Sequence, residues 1–169
     1  MNLVKIYSKR FMLRSLGPGD VGDKYIDWIN GAGQSQYIEY SKQNRTAAEI
    51  RDYVAQRENS DKVLFLGIFT LEMGEHIGNI KYEPIDFHNK TAVMGILIGN
   101  ENWRGKGVAP EVIKSSSEWL SQQYDINKII LGVNPENTAA MRAYKKVGFK
   151  EDCTLKEEEG QLFMTLQLG

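Results

Sequence analysis

The sequence predicts an α+β fold: a mixed, mostly antiparallel central sheet flanked by helices. Three observations lead there. Residues 62–99 hold three apolar runs of strand character separated by short polar turns, the pattern of an antiparallel meander. Two helical patterns precede the meander, and a β-α-β-α-β-β succession follows it. Such a succession after a meander gives a mixed sheet covered by helices. The 169 residues are expected to form one domain spanning 1–169, long enough to bury a sizeable core.

The elements follow in order. LVKIY (3–7) and RFMLRSL (10–16) read as short strands around Ser8 and Lys9, the second ending at the turn signal GPGD. Asp20 is expected to cap a helix on which Val21, Tyr25, Trp28 and Ile29 share a face, and GAGQSQY (31–37) breaks it. Thr46 and Glu49 form a capping box for a second helix carrying Ile50, Tyr53, Val54 and Arg57. KVLFLGIF (62–69), HIGNIKYEPI (76–85) and TAVMGILIG (91–99) are the meander strands, with LEMGE as a tight turn. Pro110 suits the first turn of a helix whose buried stripe is Val112, Ile113, Ser116 and Leu120. KIILGV (128–133) is a central strand, and NPEN turns into a helix from Thr138 to Val147 that Gly148 ends. FKEDCTL and QLFMTLQL, around the polar KEEEG, read as a closing hairpin.

Composition excludes several classes of function. Lys and Arg number 21 against 22 Asp and Glu, a formal net charge of -1, and there is no aromatic and basic stripe, so no nucleic-acid partner is expected. No apolar run approaches the roughly 20 residues that span a bilayer, and the N-terminal MNLVKIYSKRF lacks a signal-peptide pattern. A cytoplasmic protein without membrane attachment is expected. Cys153, the only cysteine, allows no internal disulfide and reads as a small apolar filler in or near a strand. No metal site is expected.

NWRGKGVAP (102–110) is the stretch most suggestive of chemistry, because two close glycines before a helix can converge backbone N–H groups on an anion. It is not a Walker A loop: Gly105-Lys106 is followed by Gly107, and Asn100 stands where the first glycine belongs. Nor is it a dinucleotide fingerprint, since the chain reads G-K-G-V-A-P and offers one β-α-β unit where that fold needs two halves.

Read together, two stretches resemble the GCN5-related N-acetyltransferase (GNAT) family. Arg104-Gly105-Lys106-Gly107-Val108-Ala109 matches that family's Arg/Gln-x-x-Gly-x-Gly/Ala signature between a strand and a helix, and NPENTAAMRAYKKVGF (134–149) is similar to its second motif. FMLRSLGPGD and YEPIDFHNKTAVMGILIGNENWRGKG resemble the branch that includes the ribosomal-protein N-terminal acetyltransferases.

The resemblance implies transfer of an acetyl group from acetyl-coenzyme A, as cosubstrate, to a primary amine by direct attack. Arg104, Gly105, Lys106, Gly107, Val108 and Ala109 would wrap the coenzyme A pyrophosphate. The strand before them would splay from its neighbour and lend the backbone of Ile96, Leu97 and Ile98 to the pantetheine arm. Asn134 and Asn137 are further cofactor-binding candidates, helix capping being an adequate alternative for Asn137. Arg142, Lys145 and Lys146 meet nucleotide phosphates or form a solvated helix face. Tyr144 is the catalytic candidate, a phenol that protonates the departing thiolate, with packing as the alternative. Glu83, Asp86, His76, His88 and Glu101 are candidate bases, none preferred.

The acceptor pocket is expected from the first two helices, the segment GAGQSQYIEYSKQN (31–44) between them, the 82–90 connection and the last hairpin. Gln34, Ser35, Gln36, Tyr37, Tyr40 and Gln43 are neutral groups, which argues against a polyamine and would serve a peptide N-terminus or an amino-sugar. The branch resemblance favours a protein N-terminus or a small amine. A nucleotide-linked amino-sugar is the alternative acceptor, and a non-catalytic acyl-coenzyme A sensing domain the alternative function. A homodimer is possible through the final hairpin or a meander edge.

Overall fold

Leu64–Thr70 is buried at every position, so both faces of this strand need a cover, and the fold supplies one on each side. The computed structural model describes residues 3–31, 44–155 and 160–169. Its strands are β1 (Lys5–Tyr7), β2 (Phe11–Ser15), β3 (Leu64–Thr70), β4 (His76–Asp86), β5 (Thr91–Ile98), β6 (Lys128–Val133), β7 (Lys150–Glu151) and β8 (Leu162–Gln167). The helices are α1 (Asp23–Asn30), α2 (Ala47–Glu58), α3 (Val108–Tyr124) and α4 (Thr138–Val147). The strands form one sheet in the order β1-β2-β3-β4-β5-β6-β8-β7, antiparallel except for β5 beside β6. This is the mixed α+β architecture expected from the sequence.

Residue alternation along the strands divides the core in two. On one face Leu66, Ile80, Met94 and Ile129 join Val112, Ile113 and Leu120 of α3, with Ala140, Tyr144 and Val147 of α4 packed against them. On the other, Phe65 and Leu97 join Tyr25 and Ile29 of α1 and Ile50 and Val54 of α2. The Thr46–Glu49 capping box forms as expected. The buried hydroxyls of Ser116 and Tyr82 bond each other at 2.8 Å, so a polar pair crosses the α3–sheet interface without an orphaned group.

Three local expectations are corrected. Asp20 does not cap α1, whose N-cap is Gly22. Pro18 opens a separate 3-10 turn, and the Asp20 carboxylate is taken by Arg14 and the Gly17 N–H. FKEDCTL forms only the two-residue β7, because Asp152 turns the chain by accepting from the N–H and hydroxyl of Thr154. Cys153 lies exposed in that turn, not as an apolar filler. β8 lies between β6 and the short β7, which pairs only with Met164 and Thr165. Among the described residues no helix is long and apolar enough to cross a membrane.

Candidate active site

The parallel ladder between β5 and β6 is short. It pairs Thr91 with Lys128, Ala92 with Ile129 and Val93 with Ile130, and goes no further. β5 continues against β4 to Ile98, and β6 continues against β8 to Val133, so beyond Val93 the two strands diverge. The edge of β5 facing the gap then carries backbone N–H and C=O groups without β6 partners, a ready surface for a polar chain. A cavity of about 1010 Å³ occupies the gap. Its wall includes Val108, Ala109, Ala140 and Tyr144 from one face of the sheet and Tyr25, Ile50, Phe65 and Leu97 from the other. The cavity therefore runs through the sheet and connects its two faces.

The Gly105–Gly107 loop closes one side. Gly105 and Gly107 have φ of 71° and 73°, in the left-handed region where a side chain is strained, and nothing lies within 4 Å of a Cβ built on Gly105. Gly107 is the N-cap of α3 and makes no side-chain capping bond, so the first N–H groups of the helix remain available to a ligand. The loop's carbonyls are turned the opposite way by Arg10, whose Nη1 donates to the Lys106 carbonyl at 3.0 Å and Nη2 to the Gly107 carbonyl at 3.2 Å. Glu111 holds Arg10 in place and also accepts from the Ser8 hydroxyl.

Of the cofactor candidates, Ile96, Leu97, Ile98, Arg104, Gly105, Gly107, Val108, Ala109, Asn134 and Asn137 line the cavity. Lys106 does not: its ammonium lies 5.6 Å from the centroid of the Trp103 ring. Arg104 is anchored through Nε to the Ile98 carbonyl at 3.1 Å, which ties the loop to the end of β5. Asn137 caps α4 by accepting from the Ala140 N–H, and Asn134 stabilises the preceding turn by accepting from the Glu136 N–H. Arg142 and Lys146 share the cavity-facing side of α4, whereas Lys145 pairs with Glu151 at 2.9 Å.

Tyr144 stands in the cavity wall, 5.8 Å from the Phe149 ring between centroids. Burial pushes its phenol up to about 12, so it holds its proton at neutral pH. Among the described residues no hydrogen bond engages its hydroxyl, which leaves that proton available to a reacting group.

None of the candidate bases reaches this cavity. Burial disfavours the Glu83 carboxylate, yet Lys81 and Arg57 outweigh that and hold it below its ordinary range. His76 is stacked on Phe69 and donates Nε2–H to the Gly78 carbonyl at 3.0 Å. Asp86 accepts the His88 and Asn89 N–H groups of its own turn, and Glu101 pairs with Arg104. The 82–90 connection and the last strand are also absent from the wall. Residues Gln34, Ser35, Gln36, Tyr37, Tyr40 and Gln43 lie outside the described residues. Their flanks are joined, because Asn30 donates to the Arg45 carbonyl and accepts from the Arg45 N–H, both at 2.8 Å.

Sequence reasoning missed Arg10 and Glu111, which meet across 101 residues with no local motif to announce them. It also missed Asn79 and Lys81, which read simply as strand residues although their side chains face the cavity.

A sheet opened between two parallel strands, with a glycine loop and helix N-terminus at its mouth, defines the acyl-coenzyme A-dependent N-acyltransferase class. The chain belongs to the acetyltransferase (GNAT) domain family, whose model matches residues 10–150. It is 29% identical over 92 residues to an uncharacterized N-acetyltransferase p20 of Bacillus licheniformis, a match covering 54% of this chain and 51% of that protein. The chain thus spans about half the length of that curated relative. Its fold is similar to the ribosomal L7/L12 alpha-N-protein acetyltransferase RimL in complex with coenzyme A, with a TM-score of 0.84 at 16% identity over 98% of both chains. It is also similar to the spermidine N-acetyltransferase of Vibrio cholerae in complex with coenzyme A and spermine, with a TM-score of 0.80 at 21% identity over 93% and 95% of the respective chains.

Proposed function

We propose that the protein is an acetyl-coenzyme A-dependent N-acetyltransferase acting on a primary amine, with a protein N-terminus or a small amine as acceptor. The observation that carries the reading is the gap between β5 and β6, with the Gly105–Gly107 loop at its mouth and the Tyr144 phenol in its wall. The residues present fit the cosubstrate. Orphan N–H groups at the start of α3, with Arg104, Arg142 and Lys146 on the same wall, suit its phosphates, and the unpaired edge of β5 suits its amide-bearing arm. Acetyl-coenzyme A supplies an activated acetyl thioester. The protein supplies alignment along β5 and a phenol that keeps its proton until a thiolate needs it.

No carboxylate or histidine stands on the described wall. The cations there favour the neutral, nucleophilic form of an arriving amine, which lowers the demand for a resident base. Tyr144 favours catalysis over the sensing alternative, since a binder has no use for a proton donor in that place. The RimL likeness and the branch resemblance support a protein N-terminus, while changes of loops rather than of fold decide acceptors.

The test is release of coenzyme A from acetyl-coenzyme A, followed with a thiol reagent, across peptides with free N-termini, nucleotide-linked amino-sugars, polyamines and small amines. Turnover on one class supports the reading and assigns the acceptor. Binding of acetyl-coenzyme A without turnover on any class supports the sensing alternative.

A further inference from the structure

We infer that the acceptor is an amine carrying an anionic group, a carboxylate or a phosphate, close to the reacting nitrogen. The inference rests on the acetyltransferase reading and specifies its substrate class.

The charged side chains on the described wall of the cavity are all cationic. Arg104, Arg142 and Lys146 belong to the α3 and α4 side, where coenzyme A phosphates are accounted for. Arg45 and Lys81 belong to the opposite side, with α1 and α2, and no phosphate of the cosubstrate explains them. Lys81 stands on β4 opposite Gly95 of β5, beside the open stretch of that strand and away from the loop that follows Ile98.

Among the described residues the charge at Lys81 is not cancelled. Its ammonium pairs with Glu83 at 2.6 Å, but Arg57 shares the same carboxylate oxygen at 2.9 Å, so two cations meet one anion and the cluster keeps a net positive charge. Glu83 is not on the cavity wall, whereas Lys81 is. The Lys81 ammonium also donates to the Tyr53 hydroxyl at 2.5 Å and lies 5.9 Å from the Phe65 ring centroid, whose apolar surface weakens solvent screening. Arg45 is placed on that wall by the paired hydrogen bonds of its backbone to Asn30.

A wall of this kind attracts a carboxylate or phosphate and repels a second ammonium. It therefore selects an amino acid, an acidic peptide N-terminus or a phosphorylated amine, and rejects di- and polyamines.

The test uses matched amines at saturating acetyl-coenzyme A and low salt: β-alanine against β-alaninamide, O-phosphoethanolamine against ethanolamine, the peptides Ser-Asp against Ser-Asn, and 1,3-diaminopropane. The pairs separate carboxylate, phosphate and peptide sources of the anion. In at least one pair the anionic member is expected to exceed its neutral partner in kcat/KM by about tenfold or more, with 1,3-diaminopropane poorest. That ratio is expected to shrink with added salt and to fall to about twofold or less in Lys81→Gln, while Lys81→Arg keeps it. Arg45→Gln gives an independent reading if Lys81→Gln fails to fold. Ratios of one or below in every pair, a ratio unchanged in both neutral variants, or no turnover of any anionic amine overturns the inference. Calorimetric titration with acetyl-coenzyme A separates the two levels: absence of binding contradicts the acetyltransferase reading itself, and normal binding with any of those outcomes contradicts the acceptor class alone.

Discussion

Arg10, just before β2, and Glu111, on the first turn of α3, form a two-point pair: Arg10 Nε and the Arg10 backbone N–H each reach a different Glu111 oxygen at 2.7 Å. The rest of the guanidinium holds the Lys106 and Gly107 carbonyls. The Gly105–Gly107 loop is thus fixed from behind by residues that do not belong to it, with its carbonyls engaged by Arg10.

Arg10→Gln removes both carbonyl contacts and frees the loop to rotate. The expected result is a rise in KM for acetyl-coenzyme A of about tenfold, on the scale of one or two charge-assisted hydrogen bonds. kcat and the KM for the amine change much less, and Arg10→Lys recovers part of the loss. A uniform fall in activity that follows only the melting temperature would reduce Arg10 to a structural role.

Gly107→Ala forces a side chain into the left-handed region at about 1–2 kcal/mol. A Cβ there meets only Arg10 Nη2, at 3.7 Å, so the cost is dihedral and not steric. Denaturant unfolding is expected to show that loss, and titration with coenzyme A a weaker complex. Gly105→Ala, with open space around it, isolates the same effect.

Tyr144→Phe removes one hydroxyl from a packed ring. kcat is expected to fall by about a hundredfold, the lower range for a lost general acid, while coenzyme A affinity stays within about twofold. Because the phenol is pushed up to about 12, it is protonated throughout pH 6–9, and the deficit is expected to be constant across that window. A deficit that disappears at high pH, or an unchanged kcat, assigns Tyr144 to packing.

His76 links stability to pH. Burial, against the smaller opposing effect of Asp20, holds its imidazole below its ordinary value of 6.5. The unfolded chain therefore takes up the proton first. The contribution to stability is complete above pH 6.5 and is lost as pH falls through the lowered folded value. The melting temperature of the protein is expected to drop between pH 7 and 5, and that of His76→Asn to drop less. Asp20 acts in a lower window: Arg14 and the Gly17 N–H outweigh its burial and depress its carboxyl, so its contribution is lost only below the usual carboxylate range.

The fold was legible wherever a local signal coincides with a tertiary requirement. The Thr46–Glu49 box, the Val112, Ile113, Ser116 and Leu120 stripe, and Gly148 as a left-handed helix terminator were all readable because each depends on spacing within one turn or two. The Asp20 assignment failed because a carboxylate that can cap a helix was claimed by Arg14 from a neighbouring strand, and no local rule ranks the two. Gly99 illustrates the same limit. It read as the end of a strand, yet a Cβ there would stand 2.1 Å from the Trp28 ring, so its role is to admit a residue 71 positions earlier. At the site, the family motifs singled out the loop and Tyr144, which the fold brings to one cavity. Lys81 and Arg10 carry no local motif, and only long-range pairing brings them to the cavity wall and the loop.

The most direct measurement of the central claim is amide hydrogen exchange with and without coenzyme A, on a sample whose binding is followed by calorimetry. Saturable binding is expected, with slowed exchange confined to residues 94–98, 105–109 and 134–140. Absence of binding, or protection elsewhere with those segments unchanged, would contradict it.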